Sequence, residues 1–331
     1  VRERKRPRAG LIAAVAAAVV AAIAVVALVA GGGGGDSGSE SSAPTPDDAN
    51  LQSNAPHAVA IPVPGKPDGL GAGGGTVWAT GPTAGVVSRI DAVSGDKQGE
   101  PIPVGSDPDS IAVSEDAVWV TNKASDSVTR IDAESGEVVT EVAVGATPAG
   151  ISLEADGAPW VVLTGEGGVK RIDPETNTPG SLVETGRDPY AVLVDGDTVW
   201  VTNRQEGSVA HFQLPDGPVS RENVGGLPRA LAVEGSSVFV ADFEDRLIEL
   251  DRETGRRKDE FPLEGEPREM TAAEGAIWVT LYRTNQLARF DPVSGDVTTR
   301  KAPGRPAGIV AYAGRIWVGA RDASTVTPFS P

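Results

Sequence analysis

The sequence predicts an all-β fold, a seven-bladed β-propeller of four-stranded antiparallel blades. Three observations carry the prediction. The segment Val118–Asp132, VWVTNKASDSVTRID, has near-copies beginning at Val77, Val199 and Ile277 and more degenerate ones at Pro159, Val238 and Ile316. Its anchor aromatics, Trp78, Trp119, Trp160, Trp200, Phe239, Trp278 and Trp317, are spaced 41, 41, 40, 39, 39 and 39 residues apart, so all six tryptophans fall on one position of a repeat. Seven prolines open the units: Pro67, Pro108, Pro148, Pro189, Pro228, Pro267 and Pro306.

The chain divides into four parts. Residues 1–10 are a basic tail carrying Arg2, Arg4, Lys5, Arg6 and Arg8. Residues 11–30 are an uninterrupted apolar run whose 20 residues, if helical, span about 30 Å, the hydrocarbon thickness of a bilayer. Clustered positive charge before it predicts a cytoplasmic amino end, with everything after Ala30 outside. The rival reading is a cleaved signal sequence, which would make the protein secreted. Residues 31–56 are Gly/Ser/Pro/Asp-rich without periodicity and read as a flexible tether, with a mean reach of roughly 25–30 Å. Residues 57–331 are the propeller. The chain starts at Val1, which leaves open an upstream domain.

Within a unit, taking residues 108–144, Ile111–Val113 reads as strand a, Ala117–Thr121 as strand b, Ser127–Ile131 as strand c and Val138–Val144 as strand d. The turn at Asp132–Gly136 uses an Asp side chain to bond amides ahead and a Gly for positive φ. A strand such as VWV is apolar on both faces, which suits a sheet packed between two other sheets, and sheets stacked radially make a propeller. Unit seven stops after its third strand, at Phe329. Ala60–Asp68 matches Pro101–Asp109 in pattern, so residues 59–63 are expected to supply the missing strand and close the ring, removing free sheet edges.

Composition narrows the chemistry. The net charge is −17, and residues 1–50 carry five basic and five acidic side chains, so the propeller holds the whole excess. That argues against nucleic-acid binding, which phosphate neutralisation drives. The absence of cysteine excludes disulfides, thiolate metal sites and cysteine nucleophiles. Only two histidines exist, His57 and His211.

The string from Val118 to Ile151 resembles the YVTN-type repeat of bacterial β-propellers and is similar to repeats of the virginiamycin B (streptogramin) lyase superfamily. The resemblance covers residues 57–331 and implies the fold. It also implies an enzyme alternative, a magnesium-dependent lyase using paired histidines and a glutamate, but neither His57 nor His211 has a partner histidine on the expected face. No catalytic residue, metal ligand or cofactor is therefore assigned. Basic tail, span, tether and outer propeller together also resemble the sensor end of bacterial receptor Ser/Thr kinases.

Several motifs have plain structural readings. Gly69–Gly74 matches G-x-G-x-x-G, but a strand follows instead of the helix a pyrophosphate needs. The recurring Arg-Ile-Asp elements (Arg89/Asp91, Arg130/Asp132, Arg171/Asp173) read as turn-capping aspartates with exposed arginines. The tryptophans read as inter-blade packing. The acidic pairs Asp107/Asp109 and Asp195/Asp197 lack calcium-loop spacing.

Chemical variety concentrates on one face. In a meander the d–a and b–c connections share a face, here the proline face. Its candidate ligand-binding residues are Asp68, Asp109, Tyr190, Arg204, Arg229, Arg268, Tyr282, Arg283, Arg305 and Arg321. Arginines beside aromatic rings suit a small anionic ligand or a protein partner. The expected function is a membrane-anchored, extracytoplasmic, non-enzymatic binding scaffold with the proline face turned outward.

Overall fold

The computed structural model describes residues 59–331. The basic tail, the apolar run, the tether and His57 lie outside the described residues. Among the described residues no helix is long and apolar enough to cross a membrane. Residues 59–331 form one compact unit.

Seven antiparallel sheets are present, each in the order a-b-c-d. Blade two shows the plan: Pro108–Val113, Ala117–Asn122, Ser127–Asp132 and Val138–Ala143. Strand a begins at the proline, three residues before the apolar run alone predicts. Blade three divides strand d into Thr178–Pro179 and Val183–Glu184. Blade seven is built from Pro306–Tyr312, Arg315–Ala320 and Thr325–Phe329, and Ile61–Pro62 completes it. The closing ladder sets Ile61 opposite Val326 and Pro62 opposite Thr325, and the Val63 N–H donates to the Ser324 carbonyl at 2.9 Å. The expected latch is therefore present.

The core is seven cores. Each apolar cluster spans one pair of neighbouring blades, and the anchor aromatic of each blade enters the cluster it shares with the next. Trp78, Trp119, Trp200, Trp317 and Phe239 are fully buried. A large aromatic filling each wedge supplies the apolar area that a thin four-stranded sheet lacks.

The turn aspartates cap as expected: Asp91 accepts from the Val93 and Ser94 amides, and Asp132 from Ser135. The arginines of the same elements are not exposed groups. The Arg130 guanidinium lies 5.0 Å over the Trp119 ring and donates to the Pro174 carbonyl and Asn177 Oδ1 of blade three at 2.5 and 2.8 Å. Arg89 lies over Trp78 and reaches Ser135 of blade two. In blade four His211 takes this place, stacked on Trp200 at 4.8 Å. Arginine bridges blades here because its flat cation covers an indole face and still donates at its rim.

Strand a carries a bulge just after the proline. In blades two to seven, two residues of strand a oppose one of strand b: the ladder passes from Pro189–Asn203 to Val192–Val201, leaving Tyr190 and Ala191 opposite Thr202. The same shift recurs after Pro108, Pro148, Pro228, Pro267 and Pro306. A bulge re-aims side chains, here toward the central channel.

Threonine ties the bulge to the next blade. Thr202 is fully buried; its Oγ1 accepts from the Ala191 N–H at 3.0 Å and donates to the Arg229 carbonyl of blade five at 2.8 Å. Thr280 does the same between Glu269 and Ala307, and Thr80 between Gly69 and Asp109. Blade seven has Gly319 at the threonine's register and packs more closely: a Cβ on Gly308 would lie 2.2 Å from the Asp68 carbonyl oxygen.

Thr202→Val keeps the shape and removes both hydrogen bonds. We expect it to lower the unfolding free energy by about 1–3 kcal/mol in a denaturant titration, since a buried amide and carbonyl lose their partner. Thr298→Val, at an exposed strand position, is expected to change it by under about 0.5 kcal/mol.

Candidate functional site

The three residues after each blade-opening proline build the site. The third is always aliphatic: Leu70, Ile111, Ile151, Val192, Leu231, Met270 and Ile309. All seven are between 6 and 9 % exposed, so they form a girdle around a narrow lumen. The first two, in the bulge, stand above the girdle and differ from blade to blade: Asp-Gly, Asp-Ser, Ala-Gly, Tyr-Ala, Arg-Ala, Arg-Glu and Ala-Gly. They wall a cavity of about 190 Å³ whose floor is the girdle.

The wall is a network of paired charges (the sequence showed the residues but not the pairing). Arg268 crosses the small Ala307 of blade seven to reach Asp68 of blade one at 3.1 Å, and Arg321 holds the same carboxylate. Lys123 binds Asp109 at 2.8 Å and approaches the Tyr190 ring to 5.4 Å across Ala149 of blade three. Arg204 binds Asp188 through two nitrogens at 2.9 and 3.1 Å and stacks on Tyr190 at 4.3 Å. Arg229 is 4 % exposed. It donates to the Arg268 carbonyl at 3.0 Å and to the Tyr190 hydroxyl at 2.6 Å, and its guanidinium lies 4.4 Å from the Tyr190 ring and 4.9 Å from Phe243.

The electrostatics follow from enclosure. Burial works against the Lys123 ammonium, but Asp109, by charge and hydrogen bond, together with Tyr190 and Asp68 outweighs it and its pKa rises. Burial likewise opposes the Arg229 cation, and Tyr190, Glu269, Asp68 and Asp109 together outweigh it. Burial raises the Tyr190 hydroxyl, although Arg229 pulls the other way. Burial also raises the Glu269 carboxyl, with Asp109 and Asp68 adding to it against Arg229 and Arg268. Glu269 is 33 % exposed to the lumen, yet the lumen is narrow, so its carboxylate meets little bulk water.

Of the ten residues read from the sequence, Asp68, Asp109, Tyr190, Arg204, Arg229, Arg268 and Arg321 come together around the channel. Arg283 and Arg305 do not. Arg283 is 57 % exposed and pairs with Asp245, while Arg305 is 56 % exposed and lies 3.5 Å from Asp322. They border an outer recess of about 370 Å³ with Tyr282 between them and the channel, stacked by Arg268 at 4.6 Å and Arg305 at 5.4 Å. Glu269 is the residue the sequence reading missed. The signal was available: at its place after the proline every other blade has Gly, Ser or Ala. No arginine lines the channel cavity. The guanidiniums that suggested a small anionic ligand are committed to carboxylates, a phenol and a carbonyl.

Two changes test these contacts. Asp68→Asn leaves Arg268 and Arg321 without their shared countercharge. We expect a loss of about 2–4 kcal/mol in denaturant unfolding, below the upper range for a buried pair because the three groups keep some solvent contact. Burial lowers the His211 pKa, with Glu222 opposing. A base depressed in the folded state contributes stability that is present above its unfolded pKa of about 6.5 and is lost as pH falls through the folded value. Between pH 7 and pH 5 the melting temperature of the unaltered protein should therefore fall more than that of His211→Arg, which restores the residue of blades one and two.

No family model matches the chain, and no curated protein matches it. Among solved structures it is similar to a streptogramin B lyase, at 17 % identity and TM-score 0.70 over 82 % of this chain and 96 % of that one. A catalytically inactive virginiamycin B lyase from Staphylococcus aureus, crystallised with quinupristin, gives 18 % identity and TM-score 0.72 over 82 % and 97 %. Kuenenia stuttgartiensis hydrazine synthase gives 16 % identity and TM-score 0.70 over 86 % and 99 %. At these identities the likeness is one of fold: the chain is a virginiamycin B lyase-like β-propeller in architecture.

Proposed function

We propose that the protein is a binding scaffold, anchored to the membrane through residues 11–30 and displaying its proline face outside the cytoplasm, with the cup at the channel mouth as its ligand site. One observation carries the reading. The repeat holds its tryptophans, capping aspartates and girdle nearly constant, and its departures from pattern converge on the bulge positions around one cavity. A purely architectural ring has no need for Asp, Tyr, Arg and Glu at places where Gly and Ala suffice.

The described chain enters at Val59 on the opposite face, because Ile61 and Pro62 run alongside Val326 and Thr325 toward the b–c loops. The lyase alternative has less support. His211 is half-buried between Trp200 and the Gly255 turn, and no histidine lines the cavity among the described residues. The kinase-sensor alternative shares the same cup and differs only in what precedes Val1.

Ser110 lines the cavity, and its backbone carries its hydrogen bonds. Ser110→Trp should fill the cup while keeping the fold. In a small-molecule library read by melting shift, compounds that stabilise the unaltered protein are expected to lose their effect on Ser110→Trp, whose own melting temperature stays within a few degrees of the original. Stabilising compounds that act equally on both proteins would exclude the cup.

A further inference from the structure

The cup's lining has a definite chemical character. Its charged side chains are the carboxylates of Asp68, Asp109 and Glu269, and its floor is the aliphatic girdle. The carboxylates are not equivalent. Asp68 is shared by two arginines and Asp109 is held by Lys123. Among the described residues the Glu269 carboxylate accepts no hydrogen bond, and its nearest cation is Arg229 Nε at 3.5 Å. Arg229 is itself bonded to the Arg268 carbonyl and the Tyr190 hydroxyl and is shut away from the lumen. Glu269 is thus a carboxylate short of a donor, facing an enclosed space, and enclosure raises its pKa, which a cation placed beside it would reverse.

Three kinds of occupant can be compared. An anion would meet three carboxylates and no free guanidinium. A metal ion needs converging ligands, and among the described residues no three acidic or histidine groups lie close enough to hold one. An organic ammonium needs only one or two acceptors and an apolar surface for its stem, and the cup offers both. The space suffices: about 190 Å³, where one water needs roughly 10–15 Å³.

We propose that the cup receives a protonated amine on a short aliphatic stem, the ammonium against Glu269 and the stem against the girdle of Ile111, Ile151 and Val192. The proposal rests on the reading of the cup as a ligand site and adds the class of ligand. A free alkylamine and the side-chain end of a lysine share this chemistry.

The test uses the full chain and four compounds, n-butylamine, n-butanol, butyrate and Nα-acetyl-lysine amide, titrated by calorimetry at millimolar concentration near neutral pH. The expected result is binding of at least one of the two amines, weaker or absent binding of butanol and butyrate, a loss of amine affinity of tenfold or more in Glu269→Gln, and no amine binding to Ser110→Trp. Tighter binding of butylamine assigns the source to a free amine, and tighter binding of the lysine derivative to a lysine side chain. Glu269→Gln keeps the side-chain shape and leaves the Arg229 bonds to Tyr190 and the Arg268 carbonyl in place, so it is expected to fold; should it not fold, Asp109→Asn, on the opposite wall, is expected to weaken the amine in the same direction. Butanol binding as tightly as butylamine, butyrate binding in preference, amine binding that survives Ser110→Trp, or no amine binding at all would each overturn the proposal. Butyrate or butanol binding that Ser110→Trp abolishes would overturn the amine alone and leave the cup as a ligand site. Library compounds that ignore Ser110→Trp would remove the site itself.

Discussion

The structure depends on a two-against-one mismatch at the start of blades two to seven. A proline gives up one ladder donor, the next two residues share a single partner on strand b, and the strand bends toward the axis. The freed backbone groups are not left unpaired. In blades one, four and six a buried threonine hydroxyl accepts from the blade's own amide and donates to a carbonyl of the following blade. One hydroxyl thereby fixes the bulge and the spacing between blades. Everything presented to the channel inherits its position from that joint.

The two sides of the joint are under different demands. The anchor aromatic of strand b with its flanking residues, and the third residue after each proline, pack against neighbours and stay apolar. The first two after the proline touch the lumen and are free to vary. The result in an acidic domain is a mouth with most of its charges matched: Asp68 of blade one meets Arg268, which reaches over Ala307 of blade seven, and Asp109 of blade two meets Lys123 of its own blade, which also reaches over Ala149 toward Tyr190. Tyr190 lies under three of these cations, which makes it the pivot of one half of the wall.

Much of this was legible in the sequence. Period and turn chemistry are local signals, so Trp119, Asp132 and the strand borrowed by blade seven could be read directly. Tyr190, Arg229 and Arg268 could be placed near the axis because the prolines mark where each blade begins. The pairings could not be read. Asp68 and Arg268 are 200 residues apart and meet because a ring brings blade six within reach of blade one. The arginines of the Arg-Ile-Asp elements looked exposed because alternation along a strand does not reveal that the next blade's turn lies over them. Glu269 was overlooked because it follows a more conspicuous arginine, and its meaning lies in comparison with six small residues at the same place.

The short ladder between Ile61–Pro62 and Thr325–Val326 has a consequence for synthesis. Among the described residues, the strand that seals the ring leaves the ribosome first and its partner nearly last. Until then blade seven has no outer strand and blade one has no neighbour to cover Val77 and Ile90. Such a wide sequence separation slows completion and leaves a greasy, unpaired rim on every nascent intermediate. Quality control in the cell therefore has its longest window at the seam, before the cup exists in finished form.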